Sequence, residues 1–133
     1  MRDMLKQYGI NPESFLDFQS GKVQLETVKQ NGNSIRYIQN PSEKVQLEAV
    51  KQNGHYIRHI QNPSEKVQLE AVKQIGYSIQ HISNPSEKVQ RLFVKYILQQ
   101  TGTENMNQYY LHKLSNNILE ELLKQITIKN VIT

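Results

Sequence analysis

The chain has no cysteine and no tryptophan among its 133 residues, and only 37% of them are apolar. The lack of cysteine excludes a disulfide framework, a thiolate metal site and a cysteine nucleophile. No apolar run approaches the roughly 18 residues that a membrane-spanning helix needs, and the first residues lack the apolar core of a signal peptide. We therefore expect one small domain, residues 1–133, that is cytoplasmic and makes no membrane contact.

The charge of the chain is weakly positive. Sixteen Lys and Arg stand against twelve Asp and Glu, which leaves a net charge of +4. Such a charge gives a mild attraction to anions, and it is small beside that of dedicated nucleic-acid-binding proteins.

A 22-residue repeat occupies the middle of the chain. Residues 22–43, 44–65 and 66–87 align without a gap as KVQLETVKQNGNSIRYIQNPSE, KVQLEAVKQNGHYIRHIQNPSE and KVQLEAVKQIGYSIQHISNPSE. A divergent copy with a C-terminal helical cap follows in 88–133, and residues 1–21 form an N-terminal cap that includes a degenerate repeat. Fixed-period repeats are typical of stacked units. The predicted fold class is therefore all-α, a short α-solenoid of helical-hairpin repeats with atypical capping helices.

Each repeat predicts a longer helix A and a short helix B. Asn40 resembles an N-cap residue, and Pro41 suits the first helical position. Gly54 suits the left-handed residue that ends a helix, so helix A should span about residues 41–53. The following residues, 55–61, have apolar positions three apart and predict a helix B of about two turns.

One glutamine recurs within the apolar arc of helix A in every copy. A buried amide without partners would cost about 1–3 kcal/mol. We therefore predict a structural ladder in which these amides bond to inter-helix loop backbone or to one another, and a polar binding groove is the alternative. The residues are Gln24, Gln46, Gln68 and Gln90.

The phrase LEAVKQNG at residues 47–54, followed by a short helix, resembles the two-helix repeats of a domain family of unknown function. Such repeats are common in large viruses, protists and some bacteria. The resemblance covers roughly residues 22–95. It implies an α-solenoid without catalytic residues, and it implies a viral or mobile-element inhibitor of a host defence system.

The differences among the three clean copies cluster around helix B. The varied positions carry Tyr, His, Arg and Asn, residue types that suit contact surfaces. We predict that helix B forms a partner-binding face, and the alternative is that exposed positions vary freely. The candidate residues are Asn33, Arg36, Tyr37, His55, Tyr56, Arg58, His59, Tyr77, Gln80 and His81.

The function predicted for this face is binding of a protein partner. The alternative is an adaptor for RNA or single-stranded DNA, because Arg36 and Arg58 lie near tyrosines that could stack on bases. Nearly balanced charge within each unit disfavours that alternative. A third hypothesis is a homodimer formed through the open ends of the solenoid.

Catalysis, cofactors and metals find no support in the sequence. The recurring Ser and Glu are explained by helix starts, and the recurring glycines stand alone rather than in a phosphate-binding loop. His55 and His59 are four residues apart, a spacing that can bind a metal, but no acidic or thiol ligand completes a site. We predict a protein that is not an enzyme and has no cofactor.

Overall fold

The structure is a computed structural model that describes residues 21–100 and 108–132. Within those ranges every regular element is helical, which confirms the all-α class. The predicted cap and degenerate repeat before Gly21 lie outside the described residues. The α-helices are α1 (Gly21–Gln30), α2 (Glu43–Gln52), α3 (Glu65–Gln74), α4 (Glu87–Gln99), α5 (Gln108–Leu111) and α6 (Asn116–Ile132). The 3₁₀ helices are η1 (Gly32–Tyr37), η2 (Gly54–His59) and η3 (Gly76–His81).

Helices α2, α3 and α4 each begin at a serine cap. The Ser42 side chain accepts a hydrogen bond from the Val45 N–H at 3.3 Å, and its counterparts in the next two repeats do the same. The prediction that Asn40 is the N-cap is therefore wrong. Asn40 instead adopts a left-handed conformation with φ 52°, which Asn tolerates better than most residues. A following proline disfavours the right-handed helical region, so Asn40 turns the chain before α2.

The predicted helix B is a 3₁₀ helix rather than an α-helix. Its start is fixed in two repeats by an asparagine, since Asn31 accepts from the Asn33 N–H and Asn53 accepts from the His55 N–H. Each 3₁₀ helix has six residues, and the isoleucine that follows it has an extended backbone. Short 3₁₀ segments are common as connectors between other elements.

The recurring glycine is required by close packing, not by a left-handed backbone. Gly54 is the first residue of η2, and none of the repeat glycines has a positive φ. The prediction of a left-handed helix end is therefore wrong. A Cβ atom on Gly54 would lie 2.7 Å from the Ser78 hydroxyl and closer still to the Ala71 carbonyl. The chain passes too near the next repeat for any side chain there.

The elements pack in the order in which they occur along the chain. Each of the helices α1 to α3 contacts the α-helix of the next repeat, and η1 to η3 contact one another in sequence. Val45, Ala49 and Val50 of α2 are fully or almost fully buried between these neighbours. The apolar arc of each α-helix thus supplies the core.

The C-terminal part follows α4 with a short helix and a long one. Ile118 and Leu122 of α6 are buried, but Leu123 is 62% exposed. Arg91 of α4 hydrogen-bonds to Glu121 of α6, which ties the two helices together. None of the helices described here has the length and apolar character that crossing a membrane requires.

Candidate binding surface

The recurring glutamines hold the loops that connect successive repeats. The Gln68 side chain donates to the Pro63 carbonyl at 3.0 Å and accepts from the Ser86 N–H at 3.1 Å. Gln90 likewise donates to the Pro85 carbonyl at 3.0 Å, and it accepts from the Ser115 N–H at 2.7 Å. Each amide therefore joins its own loop to the next one. The sequence analysis predicted that these amides bond either to loop backbone or to one another, and Gln68 and Gln90 bond to loop backbone.

The other two glutamines of the set lie at the same helix position. Gln46 donates to the Pro41 carbonyl at 2.8 Å, and Gln24 is buried in α1. Gln46 and Gln68 also lie at two surface grooves, where their amide groups are already engaged with backbone.

Two equivalent grooves lie between successive repeats on the side of the 3₁₀ helices. The first has a volume of about 520 Å³ and is lined by Arg36 and His59; the second has about 500 Å³ and is lined by Arg58 and His81. In both, the arginine comes from one repeat and the histidine from the next. The rest of the lining is apolar or uncharged polar, and it contains no carboxylate. We call them the Arg36 groove and the Arg58 groove.

Electrostatic interactions confirm that each arginine lies near the histidine of the following repeat. Burial lowers the pKa of His59, and Arg58 and Arg36 lower it further. Burial also lowers the pKa of His81, as do His55, Arg58, Lys113 and His59. Burial and the neighbouring positive charges thus favour the neutral form of both imidazoles.

His55 lies beside the second groove, not within its lining. Its ring meets the ring of His81 edge to face, with centroids 5.2 Å apart. The buried Nδ1 atom of His55 has no hydrogen-bond partner, and neither has the buried side-chain oxygen of Asn33 at the equivalent position. The His55 ring thus packs against the next repeat.

The tyrosines of the predicted face are engaged within the protein. The Arg36 guanidinium lies over the Tyr37 ring, 4.4 Å from its centroid, and hydrogen-bonds to the Tyr37 hydroxyl. Tyr56 is half-buried against the core. Tyr77 is half-buried too, with its ring 4.7 Å from Tyr110 and 5.4 Å from Tyr96. Four of the ten predicted residues line the grooves, namely Arg36, Arg58, His59 and His81. Gln80, next to His81 in the third repeat, is half-buried and lies outside both linings.

Sequence reasoning missed Lys113, which extends this positive surface. Its ammonium group donates to the Ile82 carbonyl at 2.7 Å, and its charge acts on His81. The available signal was the position of Ser115, whose carbonyl accepts from the Leu119 N–H at the start of α6 as Ser86 does at the start of α4. Aligning the two serines would have placed Lys113 in the loop before a further helix.

Charge is separated between the two sides of the repeats. All six carboxylates within residues 21–100 belong to the α-helices, namely Glu26, Glu43, Glu48, Glu65, Glu70 and Glu87. The connecting segments 31–42, 53–64 and 75–86 contain no acidic residue, whereas two of them contain an exposed arginine. Although the charge of each whole unit is nearly balanced, all the charge that these three segments carry is positive. We call the surface that they form the 3₁₀ side.

Comparison with family models, curated proteins and solved structures finds no significant match to this chain. The resemblance to a two-helix repeat family, and the inhibitor role that it implies, therefore stay predictions. Within the described ranges, no three His, Asp or Glu side chains come together in a way that could hold a metal ion.

Proposed function

We propose that this chain is a non-catalytic binding module, built as a short α-solenoid, that binds a protein partner along its 3₁₀ side. The observation that carries the proposal is the pair of equivalent grooves, each with an arginine and a histidine and no carboxylate. Repetition of the same uncompensated positive site in successive units is what an extended binding surface requires.

The solenoid is supported by the recurrence of the same elements at the sequence period. Helices α2, α3 and α4 begin at Glu43, Glu65 and Glu87, and each follows a serine cap. Neighbouring units contact each other through both their α-helices and their 3₁₀ helices. In stacked repeats the core is continuous because each unit buries the apolar face of its neighbour.

A protein partner is favoured over a nucleic acid by the state of the tyrosine rings. Proteins that bind single strands need aromatic faces on which bases can stack. The ring of Tyr37 is covered by Arg36, and the rings of Tyr56 and Tyr77 are half-buried against neighbouring side chains. The surface thus supplies positive charge and hydrogen-bonding amides, but its aromatic faces are already in use.

The proposal is tested by affinity capture with three forms of the immobilised chain. The first is unchanged, the second is R36Q/R58Q, and the third is the control K51Q/K73Q, in which exposed lysines of the α-helices are neutralised. Tyr56 is left unchanged because its ring lies 3.0 Å from where a Gly32 side chain would begin, so its removal would disturb packing. Lysates are used with and without nuclease.

We expect a set of proteins that is held by the unchanged chain and the control, survives nuclease treatment and is absent from R36Q/R58Q. Retention by R36Q/R58Q at unchanged levels would contradict the assignment of the 3₁₀ side. Loss on nuclease treatment, with a steep dependence of binding on salt, would instead establish nucleic-acid binding. Circular dichroism of all three forms checks that helicity is equal.

A further inference from the structure

We propose that the Arg36 and Arg58 grooves each bind one carboxylate of an extended acidic segment, whose acidic residues are three positions apart. The inference rests on the proposed function and deepens it, because it specifies the chemistry and the spacing of the partner.

Each groove offers complementary groups for one carboxylate. An arginine guanidinium can bind a carboxylate through two parallel hydrogen bonds, which are stronger than neutral ones. Arg58 is exposed, so its guanidinium is free to reach an incoming group while its Nε donates to His59. His81, which lines the same groove, can donate a further hydrogen bond. Within the described residues, no carboxylate lines the groove to compete for these donors.

The spacing of the grooves follows from the packing of the repeats. Packed helices lie about 8–10 Å apart, and the two grooves are related by one repeat. A polyproline II chain rises about 3.1 Å per residue with three residues per turn. Side chains three positions apart in such a chain lie on the same side, separated by about 9 Å. In a β-strand, residues three apart point to opposite faces, so a strand does not fit this period.

The rims of the grooves favour an extended segment over a helical one. Exposed amide side chains line both grooves, with Gln39 and Asn40 at the first and Gln61 and Asn62 at the second. A polyproline II segment makes no internal hydrogen bonds, so its backbone groups are free to pair with such amides. The backbone of a helix is already paired internally.

Within the described residues, this pairing of an arginine with a histidine stops at the third repeat. Gln80 occupies the position of Arg36 and Arg58, and Tyr110 takes the place beside Tyr77 that His81 takes beside His55. The next junction therefore lacks both the arginine and the histidine. An acidic segment should therefore place one carboxylate in each of the two grooves. Lys113 supplies an additional positive charge beyond them.

The test uses fluorescence anisotropy with two labelled peptides of equal composition. One consists of four Glu-Pro-Pro units, and the other of two Glu-Glu-Pro-Pro-Pro-Pro units, in which no two glutamates are three positions apart. We expect the periodic peptide to bind at least about tenfold more tightly, because only it can reach both grooves at once. R36Q and R58Q should each weaken its binding about tenfold, and K51Q/K73Q should leave it unchanged. Binding should strengthen from pH 8 to pH 6, because a bound carboxylate favours protonation of His59 and His81.

The outcomes separate this inference from the proposed function. Equal affinity of the chain for the two peptides would refute the three-residue spacing. An R58Q variant that binds the periodic peptide as tightly as the unchanged chain does would refute the groove as the site. Failure of both peptides, together with arginine-dependent capture of proteins from lysate, would overturn only the acidic segment. Tighter binding of an oligothymidine than of the periodic peptide, with the same dependence on both arginines, would overturn both proposals in favour of a nucleic acid.

Discussion

The glycines that open the 3₁₀ helices should differ in their tolerance of a side chain, although they occupy the same position of the repeat. At Gly54 an added Cβ would lie 2.7 Å from the Ser78 hydroxyl and closer still to the carbonyl oxygen of Ala71. The carbonyl belongs to helix α3 and cannot rotate away. The repeats on either side must therefore separate locally if Gly54 is replaced by alanine.

The cost of that separation follows from known overpacking effects. Forcing one additional methyl group into a packed interior costs about 1–3 kcal/mol, and contact with a rigid backbone atom favours the upper half of that range. For a chain of this size we expect Gly54→Ala to lower the melting temperature by roughly 5–10 °C. Thermal unfolding followed by circular dichroism at 222 nm measures this loss, and urea titration gives the free energy.

The equivalent glycines provide a graded comparison. A Cβ on Gly32 would meet the end of the Gln52 side chain at 2.8 Å. Gln52 can move only by giving up its hydrogen bonds to the Gly32 N–H and the Val28 carbonyl, but a side chain yields more easily than backbone, so Gly32→Ala should cost less than Gly54→Ala. A Cβ on Gly76 would meet the Tyr96 ring, with Cε1 at 2.6 Å, and should have an intermediate effect. Gly21→Ala is the control, because nothing lies within 4 Å of its Cβ position.

The explanation would be refuted by a Gly54→Ala variant that is as stable as Gly21→Ala. Equal losses at Gly32, Gly54 and Gly76 would also contradict it. Such a result would mean that a backbone conformation common to the three glycines, rather than the proximity of the next repeat, requires glycine at this position.

Three further predictions concern the loops, the repeat and the histidines. Gln68→Met should destabilise the chain by about 1–3 kcal/mol, because the Ser86 N–H loses its partner; urea titration measures this. Deletion of residues 44–65 should leave a chain that folds cooperatively with a lower melting temperature, because the flanking repeats rejoin in register. The pKa values of His59 and His81 are lowered in the folded chain. The unfolded chain therefore binds more protons, and stability measured by urea titration should fall as the pH drops below about 6.5.

Each of these predictions has a control that can contradict it. Gln99→Met, at an exposed position, should leave stability unchanged. An equal loss of stability in that variant would show that the effect of Gln68→Met does not come from the lost hydrogen bonds. Deletion of residues 44–54 removes half a repeat and should prevent cooperative folding; survival of that variant would speak against stacked units. The pH effect should diminish in H59Q/H81Q, and an unchanged pH dependence would assign it to other groups.

Much of the fold could be predicted because its determinants are local in the sequence. The repeat period, the all-helical class and the buried positions Val45, Ala49 and Val50 follow from the spacing of apolar residues. The start of the helix was misplaced because Asn40 and Ser42 are both good cap residues. Only the backbone of the turn decides between them, and in this turn Asn40 adopts the left-handed conformation while Ser42 caps the helix.

The candidate site was only partly predictable, because variation between repeats does not distinguish an exposed side chain from a packed one. Arg36 and Arg58 were identified correctly as exposed positions. Tyr77 varies just as much, but its ring turns toward Tyr96 and Tyr110. A tyrosine can bury its apolar ring by packing inward, whereas an arginine keeps its charged group in water.

The sequence by itself determined the period of the chain, the helical character of each unit and, within residues 21–100, the confinement of acidic residues to the α-helices. Only the tertiary structure decided that the arginine of one repeat shares a groove with the histidine of the next. Arg36 and His59, or Arg58 and His81, are 23 residues apart in sequence. Whether such residues meet depends on how closely two repeats pack, and the close approach at Gly54 sets that distance.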